Sequence, residues 1–335
     1  MKRFFGISLL LLVGLGPVAC GAQKPKPYQY FRVGNAADVS IMSIKTQAGF
    51  ALMGGGTDLD VAFKWMCDRA GGGDFLILRA SGTDDYNPYV QGLCKVNSVA
   101  TLILATREAA MEPEVAAIIA KAEAVFISGG DQAEYINFWK GTPVQEAINA
   151  AVRRGVPIGG TSAGLAVQGE YIYSAQNDAE DGPNLSSKMA LADPFHRQVV
   201  IVHGFLENPL LANTITDSHF VARDRMGRLL AMMARILDVE SIKEVRGMGI
   251  DQETAVLLEP DGQATVVGKG AAYFLRASGK PAVVKRGTPL SIGPVTAAKL
   301  KAGGTFDVVA WKGSEEPYVY TVTDGVVRSS QGAIY

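Results

Sequence analysis

Short apolar runs, each closed by a glycine-rich or polar junction and followed by a helical stretch, recur through the first half of this 335-residue chain. They are Phe50-Ala51-Leu52-Met53, Phe75-Leu76-Ile77-Leu78, Ala100-Thr101-Leu102-Ile103-Leu104, Ala124 to Ser128 and Val156 to Gly159. Runs without polar alternation are buried on both faces. Alternation with helices at about Leu59, Pro113 to Ala122 and Val144 to Arg154 therefore predicts an α/β fold: a doubly wound, mostly parallel sheet. In such sheets ligands bind beyond the carboxyl ends of the strands. Three of those ends carry glycine, at Gly54-Gly55-Gly56, Gly129-Gly130-Asp131-Gln132 and Gly159-Gly160-Thr161-Ser162-Ala163-Gly164. From about Gly262 the pattern changes to short strands such as Ala264 to Val267 and Ala272 to Leu275, and it ends in a hairpin-like stretch from Tyr318 to Arg328.

The flanks divide the chain further. Lys2 and Arg3 precede the apolar run Phe4 to Val13, which gives way to small residues before Cys20. This is the layout of a signal peptide over residues 1–22, too short for a membrane span, and it predicts export from a bacterial cytoplasm. Two outcomes stay open: a lipid anchor through Cys20, or cleavage near Ala19 or Ala22. Residues 23–30, with Lys and Pro alternating, read as a linker. The α/β domain is expected over 31–287, and a β-rich C-terminal extension over 288–335. Cys67 and Cys94 are left over after export, and either pair with each other or stay as separate buried thiols. The balance of 32 Lys plus Arg against 33 Asp plus Glu leaves net charge −1 and no basic patch, which argues against nucleic acid as a partner.

Gly160-Thr161-Ser162-Ala163-Gly164 is a G-x-S-x-G sequence between a buried strand and a helix. The glycines permit a sharp turn that lifts the serine hydroxyl above the sheet edge. The Ala163 amide then points to the same place as an oxyanion donor, aided by the positive end of the following helix. A bare Gly-Ser helix cap is the plainer alternative. A serine nucleophile needs a base, and the histidines are His196, His203 and His219. The first two flank the apolar run Val199 to Val202 and read as packing or surface residues. His219, in Thr216-Asp217-Ser218-His219-Phe220 at the expected start of a helix, is the candidate, followed by Arg223, Arg225 and Arg228.

Taken together, Gly54-Gly55-Gly56, Ile127 to Gln132, Gly160 to Gly164, Thr216 to Phe220, Arg223 to Leu229 and Gly249-Ile250-Asp251-Gln252-Glu253-Thr254-Ala255 resemble the cyanophycinases and, more distantly, the aspartyl dipeptidases of the same serine peptidase family. The resemblance covers about Gly54 to Gly268. It implies a flavodoxin-like fold of the class I glutamine amidotransferase type, and a Ser-His-Glu hydrolase. Its substrate would be cyanophycin, a poly-aspartate with arginine on each side chain, and its products aspartyl-arginine dipeptides. By the same resemblance Ser162 attacks and His219 is the base. Gly130 and Ala163 give the oxyanion amides, and Gln132, Asp217, Arg223, Arg225 and Arg228 line the substrate pocket. An arginine cluster suits acidic groups, which it meets in planar bidentate contacts, and Asp217 is expected to meet a substrate guanidinium. The family motif has Glu where this chain has Gln252. Gln252 accepts the imidazole N–H through its amide oxygen, as the Asn of Cys-His-Asn proteases does, but carries no charge. Asp251 and Glu253 are the other candidates for the third position.

Three rivals remain open. One is another aspartyl or isoaspartyl target. A second is an esterase of the α/β-hydrolase order, with Asp178, Asp181 or Asp193 behind His219. The third is a secreted binding protein for acidic or arginine-bearing peptides that has lost turnover through Gln252. No metal-ligand spacing and no phosphate-loop lysine occurs, so neither metal nor organic cofactor is expected. The family resemblance implies a homodimer.

Overall fold

The computed structural model describes residues 25–38, 44–177 and 184–335. The expected signal peptide, Cys20, the start of the linker, Asp178 and Asp181 lie outside them.

Each early apolar run forms a strand whose alternate residues enter two different cores. Phe50 and Leu52, Leu76 and Leu78, and Val125 and Ile127 face one core, under helices Pro113–Ala120 and Pro143–Arg153. Ala51 and Met53, Phe75 and Ile77, and Ala124 and Phe126 face the other, under helices Asp60–Arg69 and Tyr86–Leu93. A strand's period of two thus turns an unbroken apolar run into two buried faces. The sheet runs in space as Gln29–Gly34, Ser98–Ile103, Asp74–Arg79, Ala124–Ile127, Ile158–Thr161, Phe50–Met53, Thr254–Leu258, Gln263–Gly268, Thr305–Asp307 and Lys312–Gly313. From Ser98–Ile103 to Phe50–Met53 all pairings are parallel; the flanking ones are antiparallel. The expected doubly wound parallel sheet is present, and the glycine junctions after Met53, Ile127 and Thr161 share one edge of it.

A second sheet goes beyond the expected single one. Its order is Val326–Ser329, Tyr318–Thr323, Ile292–Lys301, Ala271–Ser278, Glu244–Ile250, Thr214–Asp217, Tyr171–Tyr173 and Ile201–His203. Met248, Ile250, Ala272 and Phe274 join the first core, while Val245, Tyr273 and Leu275 pack with Leu229, Met233 and Leu237 of helix Met226–Val239. The boundary expected at 287/288 falls between two strands that pair from Ala271↔Lys301 to Ala277↔Val295. Residues 288–335 are β-rich, as expected, and contribute strands to both sheets. At the other end the first strand starts at Gln29, inside the expected linker.

The two cysteines form a disulfide, with Cα atoms 5.9 Å apart, joining helix Asp60–Arg69 to the end of helix Tyr86–Leu93.

Candidate active site

Strand Ile158–Thr161 ends at Ser162, whose backbone is left-handed at φ 53° and ψ −110°, and helix Ala163–Ala166 follows at once. Such a conformation costs a non-glycine residue roughly 1–3 kcal/mol and persists where the surroundings impose it. Here they do. A Cβ on Gly160 would lie 2.4 Å from the Gly164 carbonyl oxygen, and one on Gly164 would lie 1.9 Å from that of Ile127. Both flanking glycines are required by close backbone approach. The Ser162 amide donates to the Met53 carbonyl at 3.1 Å, tying the turn to the neighbouring strand. The helix after it is a single turn, so its dipole adds less to an oxyanion site than expected, and the Ala163 amide itself is the relevant donor. Opposite it, Gly130 at φ 152° borders the same cavity as Ser162. Tyr135 Oη holds that loop by donating to the Ser128 and Gly129 carbonyls at 2.9 and 3.1 Å.

His219 arrives from the second sheet, directly after strand Thr214–Asp217, and not at a helix start. With φ 46° at His219 and 47° at Asp224 the chain cannot propagate a helix there, and the helix begins only at Met226. His219 Nε2 lies 2.7 Å from Ser162 Oγ, and Nδ1 lies 2.7 Å from the Gln252 side-chain nitrogen. Gln252 follows the adjacent parallel strand Glu244–Ile250, where Gly249 pairs with Asp217. Asp251 instead accepts the amides of Val221 and Ala271, and Glu253 ion-pairs with Lys269, so neither takes the third position. Asp193 accepts the Phe195 amide two residues on, and the Nδ1 face it would need is occupied by Gln252.

The orientation of the Gln252 amide decides the tautomer. With its nitrogen donating to Nδ1, the ring proton sits on Nε2 and faces Ser162. A half-turn of the amide lets Oε1 accept from Nδ1–H and frees the Nε2 lone pair for the Ser162 hydroxyl. The two orientations have the same shape and differ only in which proton each group carries.

The Gly54-Gly55-Gly56 loop is the scaffold of this pair, a role that spacing alone does not reveal. Gly54 accepts the His219 amide at 2.7 Å and donates to Thr254, while Gly55 accepts the Glu253 amide. A Cβ on Gly55 would sit 2.5 Å from the imidazole, so only glycine lets the ring lie flat against the loop. Burial first, and then Arg223 and Arg225, lower the His219 pKa to about 4. The imidazole is therefore neutral at neutral pH, ready to accept a proton.

Ser162, Gly130 and Gln132 open onto a cavity of about 330 Å³ that Ser218, Arg223, Arg225 and Arg228 close on the other side. Arg223 is exposed and forms no ion pair among the described residues. Arg225 donates to the Ser218 carbonyl at 2.7 Å and reaches Asp217 at 3.2 Å. Burial lowers it to about 10, still charged at neutral pH. Arg228 holds Asp217 in a bidentate contact of 2.8 and 2.6 Å, with its guanidinium 4.9 Å from the Tyr173 ring.

One expected role needs correction. Asp217 does not line the cavity: it is 3% exposed behind the arginines, and its oxygens are taken by Arg228, Arg225 and the Ser218 amide. Burial alone would raise its carboxyl, but Arg228 and Arg225 outweigh burial and hold it below the usual carboxylate range. A buried carboxylate so enclosed positions the arginines and has no lone pair turned to a ligand. Among the described residues, the carboxylate that borders the cavity is Asp131, which also caps helix Gln132–Trp139 by accepting the Ala133 amide at 2.8 Å. Tyr173 and Asn184 line the cavity too, without any motif to mark them.

A family model, peptidase family S51, matches residues 50–265. Among curated proteins, the cyanophycinase of Trichormus variabilis is 33% identical over 178 residues, 53% of each chain. That of Synechococcus elongatus is 30% identical over 218 residues, 62% of this chain and 61% of the other. These matches thus span between half and two thirds of the relatives' length. The crystal structure of a peptidase from an acI-B1 actinobacterium superposes with a TM-score of 0.51 at 18% identity, covering 78% of this chain and 98% of that one, which is a likeness of fold.

Proposed function

Since the chain belongs to peptidase family S51, we propose that it is an exported serine peptidase that hydrolyses cyanophycin to aspartyl-arginine dipeptides. The observation that carries this reading is the unbroken contact Ser162–His219–Gln252, at 2.7 Å in each link, on the floor of an arginine-rich cavity. His219 Nε2 takes the Ser162 proton as Oγ adds to the scissile carbonyl carbon, and the Gly130 and Ala163 amides receive the oxyanion. Collapse breaks the C–N bond, and the imidazolium gives its proton to the leaving amine. Water, deprotonated by the same imidazole, then releases the acyl group and restores the Ser162 hydroxyl. Arg225 and Arg228 share one buried carboxylate, Asp217, and Arg223 adds a third guanidinium with no ion pair among the described residues, so the arginine side of the cavity carries positive charge to spare for the free carboxylate of each arginine branch. Asp131 takes over from Asp217 as the contact for the substrate guanidinium.

Export is supported by the leader pattern of residues 1–22 and by the Cys67–Cys94 disulfide, which suits an oxidising compartment. The neutral Gln252 favours one second reading, a protein that keeps the pocket for binding and has lost turnover.

Release of aspartyl-arginine from insoluble cyanophycin by the wild type, Ser162→Ala and Gln252→Glu separates these readings. Turnover lost in the first variant and raised in the second is expected of a peptidase. A silent wild type with an active Gln252→Glu would mean a binding protein. If none acts while a serine-directed phosphonate still labels Ser162, the substrate is a different one.

A further inference from the structure

The turn that carries the pocket arginines closes on itself through backbone bonds from Arg223 to His219, Asp224 to Val221 and Arg225 to Phe220, but the helix it leads into is not capped by its own side chains. Helix Met226–Val239 has Arg225 at its N-cap position, with no side-chain cap, and the preceding turn holds Asp224 in a left-handed conformation. The first amides of a helix have no intrahelical acceptor, and an uncapped end frays. Two hydroxyls from distant segments serve this one. Ser187 Oγ accepts the Arg228 amide at 3.1 Å and donates to the Asp224 carbonyl. Tyr335 Oη accepts the Met226 amide at 2.9 Å and donates to the Asp224 carboxylate at 2.8 Å. The Tyr335 ring stands edge-on to Phe220 and Tyr273, 6.1 and 6.0 Å away at 88° and 85°, and Tyr320 Oη grips the carbonyl of Ile334. Phe220 is the residue after His219.

We infer that Tyr335 is a positioning residue for the active site: its hydroxyl caps helix Met226–Val239 from outside and thereby holds Arg223 and Arg225 in register with the cavity. The residue lies outside 50–265, so the family-matched region draws part of its pocket geometry from the segment that follows the last strand of the second sheet, Val326–Ser329. Tyr335 does not line the cavity, and its hydrogen bonds go to Asp224 and Met226, through which its effect passes. The inference rests on the peptidase reading only for its kinetic consequence.

The test is Tyr335→Phe, which keeps the ring packing and deletes both hydrogen bonds. Two readouts are taken: amide hydrogen exchange of segment 219–228, and kcat and KM on a soluble aspartyl-arginine oligomer. Exchange in 219–228 is expected to quicken about tenfold while the melting temperature moves little. KM should rise about tenfold with kcat within about twofold, since the arginines bind and do not react. Unchanged exchange, unchanged KM, or a loss of kcat equal to that of kcat/KM would each overturn the inference. If the wild type hydrolyses no oligomer, the reading of the protein as a working cyanophycin-cleaving peptidase falls. The inference is then decided by exchange together with the Kd of the oligomer for the Ser162→Ala protein with and without Tyr335→Phe, which should weaken about tenfold.

Discussion

Gln252 is the residue at which this site departs from a charged triad. An uncharged amide can align the imidazole but does little for the imidazolium that forms as Ser162 loses its proton, and His219 already resists protonation because burial and Arg223 disfavour its charge. Gln252→Glu puts an anion against Nδ1 and favours the protonated ring. The acid limb of kcat/KM, expected near pH 4 in the wild type, should therefore move upward by roughly 1–3 pH units in the variant. The plateau above pH 8 should rise by at least about tenfold, because the carboxylate also fixes the productive tautomer. A pH profile of both proteins checks this; an acid limb that stays put or moves downward would show that Nδ1 does not face residue 252 during turnover. The histidine, the serine and the glycines around them were legible in the sequence because their chemistry is local. Asp217 was legible as important but its role was not, since nothing in Thr216-Asp217-Ser218-His219 says that Arg228 folds back over it.

At the level of elements, the strand-turn-helix unit around Ser162 follows from Gly160 and Gly164, whereas the helix after His219 begins seven residues later than hydropathy alone suggests. The delay comes from two left-handed residues, His219 and Asp224, held there by backbone bonds to Gly54 and Val221. The Val221 bond is a local turn, but intrinsic propensity carries no sign of the tertiary anchor at Gly54. A second element-level tie is the disulfide, which closes 27 residues and pins helix Asp60–Arg69, the element directly after the Gly54-Gly55-Gly56 loop. Cys67→Ser with Cys94→Ser should lower stability by about 3 kcal/mol from loop-closure entropy alone, seen as a lower denaturation midpoint with an intact native near-UV spectrum. An equal midpoint for wild type and variant would mean that the paired helices are held by packing alone.

Across the whole molecule the site sits at a seam: Ser162 and Gly130 stand on carboxyl ends of the first sheet, His219 and Gln252 on those of the second. Residues 288–335 close both sheets, with Val295 and Tyr320 buried against Ala277 and Ala297 and with Phe306 stacked on Phe274 at 3.9 Å. Ending the chain at 287 would expose strand Ala271–Ser278 along its length together with the apolar face it shares with Ile292–Lys301. Such a truncation is expected to yield aggregated protein, in place of a smaller active domain, when expressed and measured by size-exclusion chromatography and circular dichroism. A soluble, folded product would show that residues 288–335 are dispensable for the fold.

The sequence by itself determined the parallel core, because each unbroken apolar run has to be covered on both faces, and it determined the turn at Ser162, because only glycine tolerates the backbone approaches on either side. Tertiary structure alone decided that a second sheet brings His219 and Gln252 to that serine and that Gly55 makes room for the imidazole. It also decided that Asp217 is spent on Arg225 and Arg228, and that Tyr335 caps a helix more than a hundred residues earlier. The division has one physical cause. Periodicity and backbone sterics act between near neighbours and leave a pattern in the chain, whereas the pairing of charges, hydroxyls and amides across the seam depends on where distant segments meet.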